Sequence, residues 1–252
     1  MLYIEGAAGI SGDMTVGALL SLGASREKLK AVLDSLKLGD EFSYVISEKA
    51  SYGIAGTDFD VILPHHHHHE HAHHHHHHHE HRNLADVEAV IDRGEMSDRA
   101  RALAKRAFSF VAEAEAKAHG KPLDEVHFHE VGAIDSIVDI VSAAVLFDDL
   151  DETECVVAGL TEGSGTVMCA HGELPVPVPA VLNIAAATGV PLRVSDTKGE
   201  CVTPTGIALA AAFRTRETLP AAYCVKGVGI GLGKRDYGRP AILRIMKIEA
   251  AE

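Results

Sequence analysis

Apolar and polar positions alternate with a changing period along this chain, and each change marks an expected element. The short apolar run Leu2–Glu5 predicts a strand, and the glycine-rich turn Gly6-Ala-Ala-Gly9-Ile-Ser-Gly12-Asp13 follows it. Helical spacing predicts one helix from near Asp13 through Leu20 and a second over Arg26–Leu36, with Ser25 as N-cap. Alternation over Phe42–Lys49 and Thr57–Leu63 predicts two strands, joined as a hairpin through a loose loop at Tyr52–Gly56. Asn83, with Asp86 three residues on, predicts the capped start of a short helix. A longer helix is expected from Ser97 to His119, with Leu103, Ala107, Phe110, Val111, Ala114 and Ala118 on one stripe.

The second half continues in mixed order. Val126–His129 reads as a short strand, Ala133–Phe147 as a helix, and Cys155–Leu160 and Thr166–Cys169 as strands. Pro175, Pro177 and Pro179 predict an extended segment before a helix near Ala180–Ala187. Thr203-Pro204 supplies the cap and first position of a helix ending at Phe213, and strands at Tyr223–Ile230 and Ala241–Ile248 flank a basic, glycine-containing turn. The fold class expected is α/β (mixed α+β), with mixed sheets and packed helices. The 252 residues form one region with a weak internal boundary near Pro175.

Between Pro64 and Arg82 the pattern stops. Fourteen of the chain's 18 histidines fall here: His65, His66, His67, His68, His69, His71, His73, His74, His75, His76, His77, His78, His79 and His81. Imidazole suits nickel, copper, zinc and iron, so the tract reads as a metal collector, expected to be disordered without its cargo. Its internal position, with interspersed glutamates, argues against an expression tag.

Composition narrows the classes. A net charge of −13 speaks against nucleic-acid binding, and 46% hydrophobic residues is ordinary for a globular protein. No apolar run approaches the roughly 18 residues of a membrane span, and no signal pattern opens the chain, so a cytoplasmic protein is expected. Cys155, Cys169, Cys201 and Cys224 are widely spaced without a CxxC pair, and reduced, mostly buried thiols are expected. Charge is uneven. Residues 121–154 hold ten acids against Lys121, and residues 226–247 hold six bases against Asp236. That polarity fits a protein handling a cation and an anionic small molecule, or simply two solvated faces.

The densest chemistry lies in His127-Phe128-His129-Glu130, followed by Asp135 and Asp139. On a strand, His127 and His129 share one side, and Asp135 and Asp139 share a helix face. Imidazoles and carboxylates so placed can hold a cation, and like charges four apart need one to offset them. Helix-dipole stabilisation of Asp135 is the plainer alternative. The Gly9–Gly12 turn offers backbone N–H groups to an anion, although Asp13 is more simply an N-cap. Cys169 and His171 form a same-side pair more in keeping with packing than ligation. Lys234, Arg235 and Arg239 form a candidate phosphate or carboxylate grip.

In their order these motifs resemble the LarC family of nickel-insertion proteins. The carrying segments are Gly9-Ile-Ser-Gly-Asp-Met14, the histidine tract, Val126-His-Phe-His-Glu-Val-Gly-Ala-Ile-Asp-Ser-Ile-Val-Asp139, Ala170-His-Gly-Glu-Leu-Pro-Val-Pro-Val-Pro179, Glu200-Cys-Val-Thr-Pro-Thr-Gly206 and Gly233-Lys-Arg-Asp-Tyr-Gly-Arg-Pro240. The resemblance implies CTP-dependent insertion of Ni²⁺ into a pyridinium mononucleotide bearing two thiocarboxylates, forming a nickel–carbon bond, with Mg²⁺ or Mn²⁺ serving the CTP. His127, His129 and Glu130 are, by their chemistry, candidate bases for the ring proton, with Asp13 beside them as a further catalytic candidate. Glu5 and Ala8 stand where the family usually has Asp and Ser. Family members continue beyond the point matching Glu252 with a CTP-binding portion, sometimes as a separate chain, so a partner polypeptide and a homo-oligomer are expected. The rival reading from the tract is a non-catalytic nickel store or metallochaperone.

Overall fold

The computed structural model describes residues 1–64, 82–125, 134–169 and 171–251. The histidine tract, the expected strand at Val126–His129 and the residues His127, His129 and Glu130 lie outside them.

The described residues form seven α-helices and ten strands in mixed order, as the periodicity predicts. They run β1 (Leu2–Glu5), α1 (Gly12–Ser21), α2 (Arg26–Ser35), β2 (Ser43–Ser51), β3 (Ile54–Ile62), α3 (Leu84–Arg93), α4 (Asp98–His119) and α5 (Ile134–Asp149). Then follow β4 (Cys155–Val156), β5 (Leu160–Ser164), β6 (Thr166–Cys169), β7 (Gly172–Pro175), α6 (Pro179–Thr188), β8 (Leu192–Lys198), α7 (Pro204–Phe213), β9 (Tyr223–Leu232) and β10 (Ile242–Ala250). A six-stranded sheet of order β2-β3-β9-β10-β1-β4 is the main layer, and β5-β8 and β6-β7 form two small ribbons. Parallel pairs (β3 with β9, β1 with β4, β5 with β8) mix with antiparallel ones. One hydrophobic cluster, including Leu2, Leu19, Phe108, Ile137, Val181 and Leu209, runs through all of it. No helix among the described residues is long and apolar enough to cross a membrane.

Local chemistry explains most boundaries. Asn83 and Asp86 complete a reciprocal capping box at α3, Ser97 caps α4, and Thr203 accepts from the Gly206 N–H at α7. Several expectations need correction. The β2–β3 connection is a tight two-residue turn, Tyr52-Gly53, with φ of 49° and 80°; two positive φ values are what a twisted hairpin favours. The cap of α1 is Ser11, and Asp13 sits inside the first turn. The expected strand Cys155–Leu160 breaks in two, because Cys155 and Val156 pair with β1 whereas Leu160 pairs with β8. Strand β8 escaped the sequence reading because Arg193, Ser195, Asp196, Thr197 and Lys198 leave little apolar alternation. The buried face of α4 is centred on Ala104, Ala107, Phe108 and Val111, and Ala118 is exposed; α4 packs on α5, α6 and α7 together, so its buried arc is wide and small. Of the four free cysteines only Cys155 and Cys201 are buried, and Cys224, on β9, is exposed.

The feature that positions the site is the run Gly227-Val-Gly229-Ile-Gly231 in β9. On a strand these glycines share one face, and α1 lies on it so closely that a β-carbon at Gly231 would stand 1.9 Å from the Met14 carbonyl oxygen. Backbone contact between helix and strand brings the first turn of α1 beside the end of β9.

Candidate functional site

Two acids on α5 meet that junction. Asp135 and Asp139 lie one turn apart and share their surroundings with Asp13 from α1 and Lys234 from just beyond β9. Lys234 Nζ is 2.5 Å from Asp60 Oδ1 and 3.6 Å from Asp13 Oδ2. Asp13 Oδ1 accepts from the Met14 N–H at 2.9 Å and from the Ser11 hydroxyl. Asp139 receives the Asp13 backbone N–H, and its Oδ1 is buried without a hydrogen-bond partner. A β-carbon on Gly12 would come 2.5 Å from Asp139 Oδ2, so glycine there is what lets the carboxylate reach the helix.

The electrostatics are those of crowded acids. Burial, then the charges of Asp13 and Asp135, push the Asp139 carboxyl well above the usual carboxylate range. Burial also raises Asp135, against the backbone N–H of Ser136 and the Lys234 ammonium. Burial works against the charge of Lys234, but the hydrogen bond to Asp60 and the fields of Asp13 and Asp139 outweigh it and raise its pKa. Four carboxylates, those of Asp13, Asp60, Asp135 and Asp139, around one ammonium, with a buried oxygen of Asp139 unsatisfied, make an environment that a divalent cation or a proton would relieve.

The Gly9–Gly12 turn is occupied by the protein itself. The Gly9 N–H bonds to the Gly6 carbonyl and the Ile10 N–H to the Cys201 carbonyl, while a β-carbon at Gly9, whose φ is +100°, would stand 2.1 Å from that same oxygen. The anion meeting the first turn of α1 is Asp139. These committed N–H groups do not fit a triphosphate cradle. The basic turn is likewise engaged: Arg235 pairs with Glu200 at 3.2 Å, and Lys226, Arg244 and Lys247 pair with Glu249, Glu5 and Glu152. Arg239 reaches Cys201, yet its Nε is buried with no hydrogen-bond partner among the described residues.

Glu162, on β5, was missed by the sequence reading because it falls between expected strands. It is fully buried, and its Oε1 accepts the N–H groups of Gly163, Cys201 and Val202 at 2.7, 2.6 and 3.0 Å. It therefore fixes the 200–203 loop, which in turn holds the Gly9 turn. Glu162→Ala would leave three buried donors unpaired, an expected cost of about 3–5 kcal/mol, whereas Glu162→Gln keeps an acceptor. Thermal unfolding should show a much larger loss for Ala than for Gln; equal losses would contradict the role. Asp60 was also missed, since nothing local marks the strand position that meets Lys234.

Among the described residues no three His, Cys, Asp or Glu side chains are gathered tightly enough to enclose a metal ion as they lie. The carboxylate cluster is the chemistry that α1, α5 and the end of β9 bring together, and in sequence the segment 126–133 directly precedes α5.

The comparisons with known proteins point the same way. A relative from Alkaliphilus metalliredigens, named pyridinium-3,5-bisthiocarboxylic acid mononucleotide nickel insertion protein, is 53% identical over 98% of this chain and 60% of its own length. Relatives of the same name from Acetivibrio thermocellus and Clostridium kluyveri are 42% and 40% identical over 100% and 97% of this chain, each matched over 61% of its own length. The chain thus spans about 60% of the length of the curated relatives it matches. No solved structure matches it. The family model described as "Nickel insertion protein" matches residues 2–252, and the chain belongs to that family.

Proposed function

We propose that this chain is the nickel-handling portion of an enzyme that inserts Ni²⁺ into a pyridinium bisthiocarboxylate mononucleotide. The observation that carries the reading is the convergence of Asp13, Asp135 and Asp139 on Lys234 at the start of α5, directly after the segment bearing His127, His129 and Glu130. In the reaction the ring C–H bond breaks, its electron pair forms the nickel–carbon bond, and its proton passes to a base. His127, His129 and Glu130 are the candidates for that base. Asp135 and Asp139 offer carboxylates to the incoming cation, and the Lys234 ammonium is the charge it would displace. The histidines of the tract at 65–81 collect nickel for the chain. CTP, with Mg²⁺ or Mn²⁺, is assigned to the remaining length of the family, since the Gly9 turn is committed internally. Free thiols suit a reducing, cytoplasmic setting.

The test combines the chain, with and without that remaining portion, with Ni²⁺, CTP and the mononucleotide, and follows metallated product by mass spectrometry. Product is expected with the complete set, with strong loss for His129→Ala or Asp135→Asn even in excess nickel. Removing residues 65–81 is expected to matter only when nickel is scarce. No product in either mixture would overturn the reading. Nickel handling that vanishes with the tract alone would favour the storage protein.

A further inference from the structure

A cleft of about 460 Å³, whose lining includes none of Asp13, Asp135, Asp139 and Lys234, lies between the end of α4, the β6–β7 hairpin and the start of α6. Its lining includes Glu115 and His119 from α4, Cys169 and His171 from the hairpin, and Glu200 and Arg235 on the side of the basic turn. The His119 and His171 rings are tilted by 47° with centroids 4.9 Å apart. Metal–imidazole bonds of about 2.1 Å place two rings on one ion with centres about 4.5–5.2 Å apart, for angles between about 90° and 110°. The observed spacing falls inside that range.

A second feature is the carboxylate of Glu115, 3.4 Å from His119 Nε2 on the preceding turn of α4. A carboxylate on one ring nitrogen fixes the imidazole and favours the other nitrogen as a metal donor. Cys169 supplies sulfur on the same wall, its Sγ now 3.3 Å from the Gly172 carbonyl oxygen across the hairpin. Both imidazoles belong to exposed residues, so an ion arriving from solvent can reach them. Imidazole with thiolate is a donor set matched to nickel rather than to magnesium or calcium.

We propose that His119 and His171 form a bidentate landing site for nickel in this cleft, separate from the carboxylates of α1 and α5, and that Cys169 leaves the Gly172 carbonyl to join as third donor only once the ion is bound. The choice of nickel rests on the proposed function; the donor geometry does not. Two imidazoles bind reversibly, which suits an ion that must be passed on to sulfur ligands on a substrate.

The experiment uses the full chain with all the tract histidines changed to Asn, from His65→Asn to His81→Asn, and Ni²⁺ alone as probe. Asp139→Asn is added to this background to take away the carboxylate cluster's own claim on the ion, and equilibrium dialysis is then expected to show one nickel per chain. His119→Ala and His171→Ala should each weaken it tenfold or more, with the matching Gln variants and far-UV circular dichroism confirming that the fold is kept. Cys169→Ser should remove a sulfur-to-nickel absorption band in the near ultraviolet. Unchanged nickel affinity in the folded His119→Ala, His171→Ala double variant would overturn the site, and insertion activity could survive that result. Loss of binding in the double variant, in a protein that never yields metallated nucleotide, would overturn the insertion reading and leave the site standing. Absence of the band before substitution would remove Cys169 from the donor set.

Discussion

Asp139→Asn is expected to make the metal-free protein more stable at neutral pH while cutting nickel insertion by about a hundredfold or more, the scale of losing a positioned charge at a reacting centre. Asparagine has nearly the shape of aspartate and keeps an acceptor for the Asp13 N–H. It removes a charge that is fully buried, has one oxygen without a partner and faces Asp13 and Asp135. A carboxyl raised above its ordinary range in the fold holds its proton where the unfolded chain has lost it. Its contribution is therefore complete below the usual carboxylate range and is lost as pH rises toward the folded value. Wild type and variant should unfold alike at about pH 3, with the variant gaining about 1–2 kcal/mol by neutral pH. Chemical unfolding across that span measures the gap. A divalent cation should close it by stabilising the wild type alone. A variant that melts lower at neutral pH would mean that Asp139 is already compensated, and the cation reading of the cluster would fall.

How far the sequence revealed this site follows from the range of the forces involved. Asp135 and Asp139 could be read as one helix face because their spacing is local. The capping box at Asn83, the Ser97 cap and the Thr203-Pro204 start were legible for the same reason. Asp13 could be flagged, but its meeting with Asp139 depends on Gly12 lying bare against a helix from the middle of the chain, and no local pattern encodes that contact. Glu162 and Asp60 were invisible because their partners, the N–H groups of Cys201 and Val202 and the ammonium of Lys234, come from distant strands and loops. The glycine turn shows the limit from the other side. Its pattern allowed an anion site as well as a helix cap, and tertiary packing spends the Gly9 and Ile10 N–H groups on the protein's own carbonyls. The six bases near the C-terminus could be read as a surface for an anion or as a solvated face, and five of them face an acid of this chain.

Gly231→Ala is expected to destabilise the protein by about 3 kcal/mol or more, because it pushes a helix off a strand. The added β-carbon would stand 1.9 Å from the Met14 carbonyl oxygen and 2.7 Å from the Ala18 nitrogen, both backbone atoms that no rotamer change can move. From the other side Gly17 is equally tight, with a β-carbon there 2.4 Å from the Thr57 carbonyl oxygen, so α1 cannot slide away along the sheet. Strain in φ is not the cause, since Gly231 is not in the left-handed region; the cost is space. In a chain of this size such a loss lowers Tm by roughly 6–12 °C. Gly227→Ala is the internal control, with its nearest atoms the flexible Leu22 Cδ1 at 3.3 Å and Lys247 Cβ at 3.9 Å, and it should cost less than about 1 kcal/mol. The functional consequence follows from what each element carries. Asp13 rides on the first turn of α1 and Lys234 lies just past β9, so separating the two backbones lengthens the 3.6 Å Asp13–Lys234 contact. Nickel insertion should then fall in Gly231→Ala, with every charged residue of the cluster intact. Equal melting losses at Gly227 and Gly231 would show that the alternating glycines serve something other than this backbone approach.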